Sequence, residues 1–170
     1  MISFEVNGKA APAGSKRGFV SGGRVIITDA NKNAQPWKAL VQSAALVAYN
    51  GPMLEGPLYL KIVEYRLRPK SHFGKRGLNK KGRESIFPTS APDCLKIARA
   101  IEDALSGVIY RDDSQIISER INKRWGNRER TLIYIWEVNN GRNPTVIARS
   151  ENEDGATTDQ SSADGSDADD

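Results

Sequence analysis

From Ile2 to Val6 apolar and polar residues alternate until Asn7-Gly8 breaks the run, so the chain opens with a short strand. Ala10 to Gly18 follows as a loop carrying the adjacent cations Lys16 and Arg17, and Arg24 to Thr28 reads as a second short strand or hairpin arm. The period then changes. Trp37, Leu40, Val41, Ala44, Val47 and Ala48 recur at three and four residues, which predicts a helix from near Asn33, with Pro36 in its first turn, to Asn50-Gly51. Pro57 to Leu67 returns to alternation, with Leu58, Leu60, Ile62 and Glu64 on one face and Tyr59, Lys61, Val63 and Tyr65 on the other.

A second helix is predicted over Asp93 to Leu105. At about 100° per residue, Cys94, Ile97, Ala98, Ile101, Ala104 and Leu105 fall within roughly 20° to 140°, which makes that arc the core face. Cys94 therefore reads as a small buried hydrophobe rather than a nucleophile. Asp93, Lys96, Arg99 and Asp103 share the opposite arc, and Leu95 sits off the core stripe. Ser114 to Trp125 reads as a strand with Ile117, Ile121 and Trp125 spaced along it, joined through Gly126–Glu129 as a hairpin to a last strand, Thr131–Val138. This order predicts an α/β (α+β) single domain, a small mixed sheet packed by two main helices.

Charge changes the picture at the C-terminal end. The 170 residues carry a formal net charge of +4, yet 8 of the 21 acidic residues and none of the 25 basic ones lie between Ser150 and Asp170. Residues 1–149 are thus strongly basic and face a polyanion, while the tail has too few apolar residues to fold. The expected division is a domain over 1–140, with a flexible basic loop over 66–90, and a linker plus disordered acidic tail over 141–170. A tail of this charge could fold back on the basic surface and compete with DNA. One cysteine excludes an intramolecular disulfide framework, one histidine leaves little for His-based metal sites, and no apolar run reaches membrane-spanning length. Met1–Glu5 lacks the regions of a signal peptide, so the expected location is cytoplasmic and no membrane partner is expected.

Arg66, Arg68, Lys70, Lys75, Arg76, Lys80, Lys81 and Arg83 fall in one stretch with no acid among them, which fits a mobile segment that orders on a nucleic-acid backbone. His72 inside it reads as a solvated loop residue. Asp93, at a helix start, and Asp112-Asp113, in a turn about twenty residues on, supply carboxylates of the kind that converge on Mg²⁺ for phosphodiester hydrolysis, with Lys96 and Arg99 beside them to meet the phosphate. The same residues also read as a helix N-cap and an ordinary Asp-Asp turn.

The run Ala91-Pro92-Asp93-Cys94-Leu95-Lys96-Ile97-Ala98-Arg99, continuing through Glu102-Asp103-Ala104-Leu105-Ser106-Gly107 to Tyr110-Arg111-Asp112-Asp113-Ser114-Gln115-Ile116, resembles the signature of the RusA family of Holliday junction resolvases, proteins often encoded by phages and prophages. Pro12-Ala13-Gly14-Ser15-Lys16-Arg17 resembles the family's proline and basic loop, so the resemblance spans most of residues 1–138. It implies a homodimer that cuts two strands of four-way junction DNA symmetrically, with Mg²⁺, or Mn²⁺ in its place, as cofactor. By that resemblance Asp93, Asp112 and Asp113 hold the metal, Asp93 and Asp113 with Lys96 and Arg99 serve catalysis, and Lys123 joins Lys16, Arg17 and the 66–83 cations on DNA. Leu95 stands where the family pattern has a second aspartate. That departure motivates an alternative, a catalytically weakened junction-binding protein. A basic RNA- or duplex-binding module explains neither Asp-Asp nor the charged helix face.

Overall fold

The computed structural model describes residues 1–14, 16–29 and 31–138. The acidic stretch Ser150–Asp170 lies outside the described residues. The elements are β1 (Ile2–Asn7), β2 (Lys16–Ser21), β3 (Arg24–Asp29), α1 (Ala34–Ala48), β4 (Leu58–Leu67), β5 (Phe73–Gly74), β6 (Gly77–Leu78), α2 (Lys80–Glu84), α3 (Cys94–Leu105), β7 (Ile116–Gly126) and β8 (Arg130–Glu137). Single 3-10 turns at Lys70–His72 and Asp113–Gln115 complete them.

Four strands form a mixed sheet in the order β1-β8-β4-β7. β7 runs parallel to β4, so a crossover carrying α3 must join them, whereas β8 lies antiparallel to both β4 and β1. The alternation of both last strands suggested a tight hairpin between them. Instead β4 sits between β7 and β8, and the link 127–129 passes over its end. Nothing in two local sequence patterns reveals that a third strand separates them.

Leu58, Leu60, Ile62, Ile133 and Ile135 face a core closed by α1 and α3, and Ile97, Ile101 and Leu105 are wholly buried on α3. Full burial of a side chain of that size contributes about 1.5–3 kcal/mol, so these residues fix α3 on the sheet. Ala100 is buried too, and the Lys38 ammonium of α1 meets the Asp103 carboxylate at 2.6 Å, so α3 packs against α1 as well as the sheet. Asp103 is thereby committed to α1 rather than to the charged face it was grouped with. Cys94, in the first turn, is only half-buried. On α1 the buried stripe is Ala34, Trp37, Val41 and Ala45, while Leu40 and Val47, counted on the core face by spacing, are exposed.

The β2–β3 hairpin turns through Gly22 (φ 56) and Gly23 (φ 73), where two consecutive left-handed residues suit the twist of the strands. Its first strand begins at Lys16, so Lys16 and Arg17 open a strand instead of lying in a loop. Gly107 (φ 74) takes the left-handed position just past α3, which stops the helix.

The stretch 66–90, which composition cast as a flexible basic loop, carries a 3-10 turn, the small β5–β6 hairpin and α2. Its anchor is His72, buried and edge-on to Trp125 with ring centroids 5.5 Å apart, not solvated as its neighbours in sequence suggested. The Arg68 guanidinium stacks over the same indole at 5.2 Å and donates to the carbonyls of Gly82 and Ser85, and the Trp125 indole N–H donates to Ser85 O. Gly82 passes so close that an added Cβ would lie 2.2 Å from the His72 carbonyl oxygen.

Candidate active site

Asp93 caps α3. Its carboxylate accepts the Lys96 backbone N–H at 2.9 Å, and the Lys96 ammonium lies 3.4 Å from its other oxygen. The backbone hydrogen bond first, then the Lys96 charge, hold the Asp93 carboxyl below the ordinary aspartate range, so it is an anion at neutral pH. The three residues before it are fastened from the sheet. Arg66 donates to Ser90 O (3.0 Å) and Ala91 O (2.8 Å), and the Lys123 ammonium donates to Ser90 O (2.7 Å) and Pro92 O (3.0 Å). Beneath them the buried Glu64 carboxylate lies 3.4 Å from the Arg66 guanidinium, and Glu64 pairs in register with Lys123. Burial raises the Glu64 pKa, opposed by these two cations. Two residues expected to grip DNA thus position Asp93.

Below Asp93 opens a cavity of about 520 Å³ lined by Ala13, Gly14, Asp93, Leu95, Lys96, Ala98, Arg99, Glu102 and Glu119. The loop after β1 forms one wall, tied down where the Ala13 N–H donates to Lys96 O at 2.9 Å. α3 supplies the other wall with the stripe of Leu95, Arg99 and Glu102. A neighbouring cavity of about 610 Å³, lined also by Trp37 and Pro36, shares Asp93 and Lys96 with it.

Glu119 reaches this cavity because β7 is bulged. Leu58 pairs with Ile116 and Tyr59 with Ser118, so Ile117 is the extra residue and the alternation resets behind it. Glu119 then pairs with Leu60, Ile121 with Ile62 and Lys123 with Glu64, all on the face that the helices cover. The same bulge leaves Ile117 exposed, although spacing had placed it with Ile121 and Trp125. Burial, with the neighbouring Glu102 charge added, pushes the Glu119 carboxyl up to about 7. Glu102 is raised by burial and then by Asp113 and Asp103, with Arg99 opposing. Glu119 Oε1 is buried with no hydrogen-bond partner.

Asp112 and Asp113 have different surroundings. Asp112 caps the turn that follows, accepting the Ser114 N–H at 3.0 Å, and hydrogen bonding from the Ser114 side chain first, then that backbone bond, keeps its pKa low. It lines a separate recess with Glu55, Arg111 and Gln115. Asp113 is exposed, and its charge raises both Glu102 and the buried Tyr110 hydroxyl. The three aspartates therefore do not meet in one pocket. Among the described residues no three His, Cys, Asp or Glu side chains are gathered as a ready-made metal site. Lys96 and Arg99 do face the cavity, as their helical arc implied.

Of the remaining cations, Lys70, Lys75, Arg76, Lys80, Lys81 and Arg83 are exposed, with Arg83 also donating to Leu78 O. Glu119 was missed in the sequence, whereas Glu102 shares the helical angle of Leu95 but stands about 10 Å further along the axis. A signal existed: Glu119 and Lys123 share the parity of Ile121 and Trp125, placing charge on the apolar side of a strand.

Residues 8–136, which take in α3, β7 and the whole cavity, match the family model described as Endodeoxyribonuclease RusA. The chain belongs to this family. "Uncharacterized protein YqaN" of Bacillus subtilis (strain 168) is 30% identical over 141 residues, covering 81% of this chain and 96% of that protein. Among the described residues no helix is long and apolar enough to cross a membrane.

Proposed function

We propose that this RusA-family chain resolves four-way DNA junctions as a Mg²⁺-dependent endonuclease acting as a homodimer. The observation that carries the reading is the cavity in which Asp93, Lys96 and Arg99 converge at the start of α3. The hard anionic oxygens of Asp93 in the cavity suit Mg²⁺, with Asp113, exposed outside it, as the second acid that the resemblance implies; the ion is commonly held by one or two carboxylates with water and substrate phosphate filling the remaining positions. When bound there, the ion would neutralise charge on the scissile phosphate and make water acidic enough to attack near neutral pH.

The chain's own groups do the rest. Arg99 and Lys96 meet the phosphate oxygens where negative charge grows as the phosphodiester is attacked. Arg66 and Lys123 keep Asp93 from shifting by holding residues 90–92. Lys70, Lys75, Arg76, Lys80, Lys81 and Arg83, together with Lys16 and Arg17 at the start of β2, bind backbone phosphates. A two-fold dimer matches a junction cut at two related points. The test is a synthetic four-way junction incubated with the full chain. Paired nicks in Mg²⁺, lost in Asp113→Asn while gel-shift binding persists, are expected. Intact junction with a well-folded protein in both Mg²⁺ and Mn²⁺ contradicts the reading.

One observation favours a second reading, a junction-binding protein with weakened cleavage. Leu95 brings an apolar side chain, 76% exposed, to the cavity where the RusA-like pattern has an acid. On that reading Leu95→Asp raises cleavage well above the wild-type rate; an unchanged rate excludes it.

A further inference from the structure

Between the basic segment and the cap of α3 stands an apolar pair that the folded core does not use. Ile86 and Phe87 are 69% and 60% exposed. Scattered exposed apolar side chains are ordinary, but this pair is held out by anchors on both sides. On one side the Ser85 carbonyl accepts the Trp125 indole N–H at 2.9 Å and the Arg68 guanidinium at 3.0 Å. On the other side Pro88 is buried, and the Ser90 carbonyl accepts the Lys123 ammonium at 2.7 Å and the Arg66 guanidinium at 3.0 Å. A short span pinned at both ends has lost much of its freedom before any partner arrives, so contact with a partner costs less ordering entropy.

The surroundings identify that partner as a polyanion. Lys80, Lys81 and Arg83 lie exposed on α2 just before the pair, and Glu84, the one acid between Arg66 and Pro92, is 3.9 Å from Lys80. Cations seated on phosphates bring an adjoining apolar side chain to the bases those phosphates carry. Phe87 stands six residues before Asp93. That is at most about 20 Å of extended chain, or roughly six base steps of about 3.4 Å each. We propose that Phe87, backed by Ile86, inserts at the branch point of a four-way DNA junction and stacks its ring on a base. The inference rests on the junction-binding part of the endonuclease reading and adds the element that tells a junction from a duplex. A duplex must be unstacked to admit a side chain, a cost that the branch point, where helices already part, largely avoids. Phosphate contacts carry no such distinction. Because every base has a π-face, stacking of this kind selects shape and not sequence.

The test compares wild type, Phe87→Ala, Phe87→Trp and Val47→Ser, each as the full chain, for affinity to a synthetic four-way junction and to a duplex of matching sequence. Divalent metal is left out so that neither DNA is cut. Phe87→Ala should bind the junction at least about fivefold more weakly, with duplex affinity and the salt slope of binding unchanged. Phe87→Trp keeps a ring and should bind as wild type does, and Val47→Ser, at a position of α1 that is 90% exposed, should change neither affinity. Branch-point thymines should react with permanganate under bound wild type and not under bound Phe87→Ala. Equal losses on junction and duplex, or an unchanged junction affinity and permanganate pattern, overturn the inference. So does a Phe87→Ala that sediments as a different oligomer, because the pair is then an interface between copies. Cleavage in Mg²⁺ is scored separately. A wild type that cuts junctions while Phe87→Ala keeps full selectivity sinks this inference alone, and a wild type that cuts nothing while Phe87→Ala loses junction preference sinks only the activity.

Discussion

In the cavity beneath α3, Glu102 and Glu119 are partly buried carboxylates that repel one another, and one buried oxygen has no partner. In the segment from Arg66 to Arg83 the inward-facing cations end on backbone carbonyls and an indole ring. Net charge alone would have treated both as charged surface. The difference lies in what each charge is already bonded to. Arg66, Arg68 and Lys123 are satisfied and therefore structural, the outer lysines and arginines remain exposed for a polyanion, and Glu119 in the cavity keeps a buried oxygen with no partner. An unmet buried charge is the stronger pointer to chemistry, because folding alone would select against it.

Substitutions that separate these roles test the comparison. The largest effect is expected at Arg99, which faces the cavity. Arg99→Met should lower single-turnover cleavage roughly 100-fold while junction affinity changes little. Equal losses in rate and affinity would move Arg99 into the binding surface. Lys123→Met comes next. If Lys123 positions Asp93, the rate at saturating protein should fall about tenfold through misplacement of the capping carboxylate, with the salt dependence of binding unaltered. A shallower salt slope at full rate would make Lys123 a phosphate contact.

Lys75→Ala with Arg76→Ala, at the tip of the β5–β6 hairpin, should do the reverse. Binding weakens several-fold, the logarithmic salt slope drops by about 2, and cleavage at saturation is retained. The smallest effect is on stability. Glu119 has a folded pKa raised to about 7, above its unfolded value, so its contribution is complete at pH values below the ordinary glutamate range and is lost as pH rises through about 7. For a partly buried group the loss is on the order of 2 kcal/mol. Between pH 5 and pH 8 without metal, Glu119→Gln should gain several degrees in Tm relative to wild type. Parallel curves for the two proteins would show that Glu119 carries no unmet charge.

Much of the fold was legible where a local rule decides it. The opening strand, α1, β4 and α3 each announce themselves through one period, and Asp93 as a helix cap is read directly from Ser90-Ala91-Pro92-Asp93. Long-range decisions were not legible. Which strand separates β7 from β8, the bulge at Ile117 and the burial of His72 under Trp125 all depend on partners distant in sequence. The candidate site divides in the same way. Asp93, Lys96 and Arg99 share one helix and were found together by angle. Glu119 belongs to another element and enters through an irregularity, so periodic reasoning passed over it. Asp112, which the motif grouped with the metal-holding acids, caps its own turn in the fold, the second role that its Asp-Asp turn offered.

The most direct test compares junction cleavage by Asp93→Asn and wild type at saturating protein in Mg²⁺, with junction affinity measured on the same samples. The cavity account predicts that Asp93→Asn binds the junction at least as well as wild type and cuts it at least roughly 100-fold more slowly. Cleavage at the wild-type rate by Asp93→Asn would contradict it and place the cutting chemistry elsewhere on the chain.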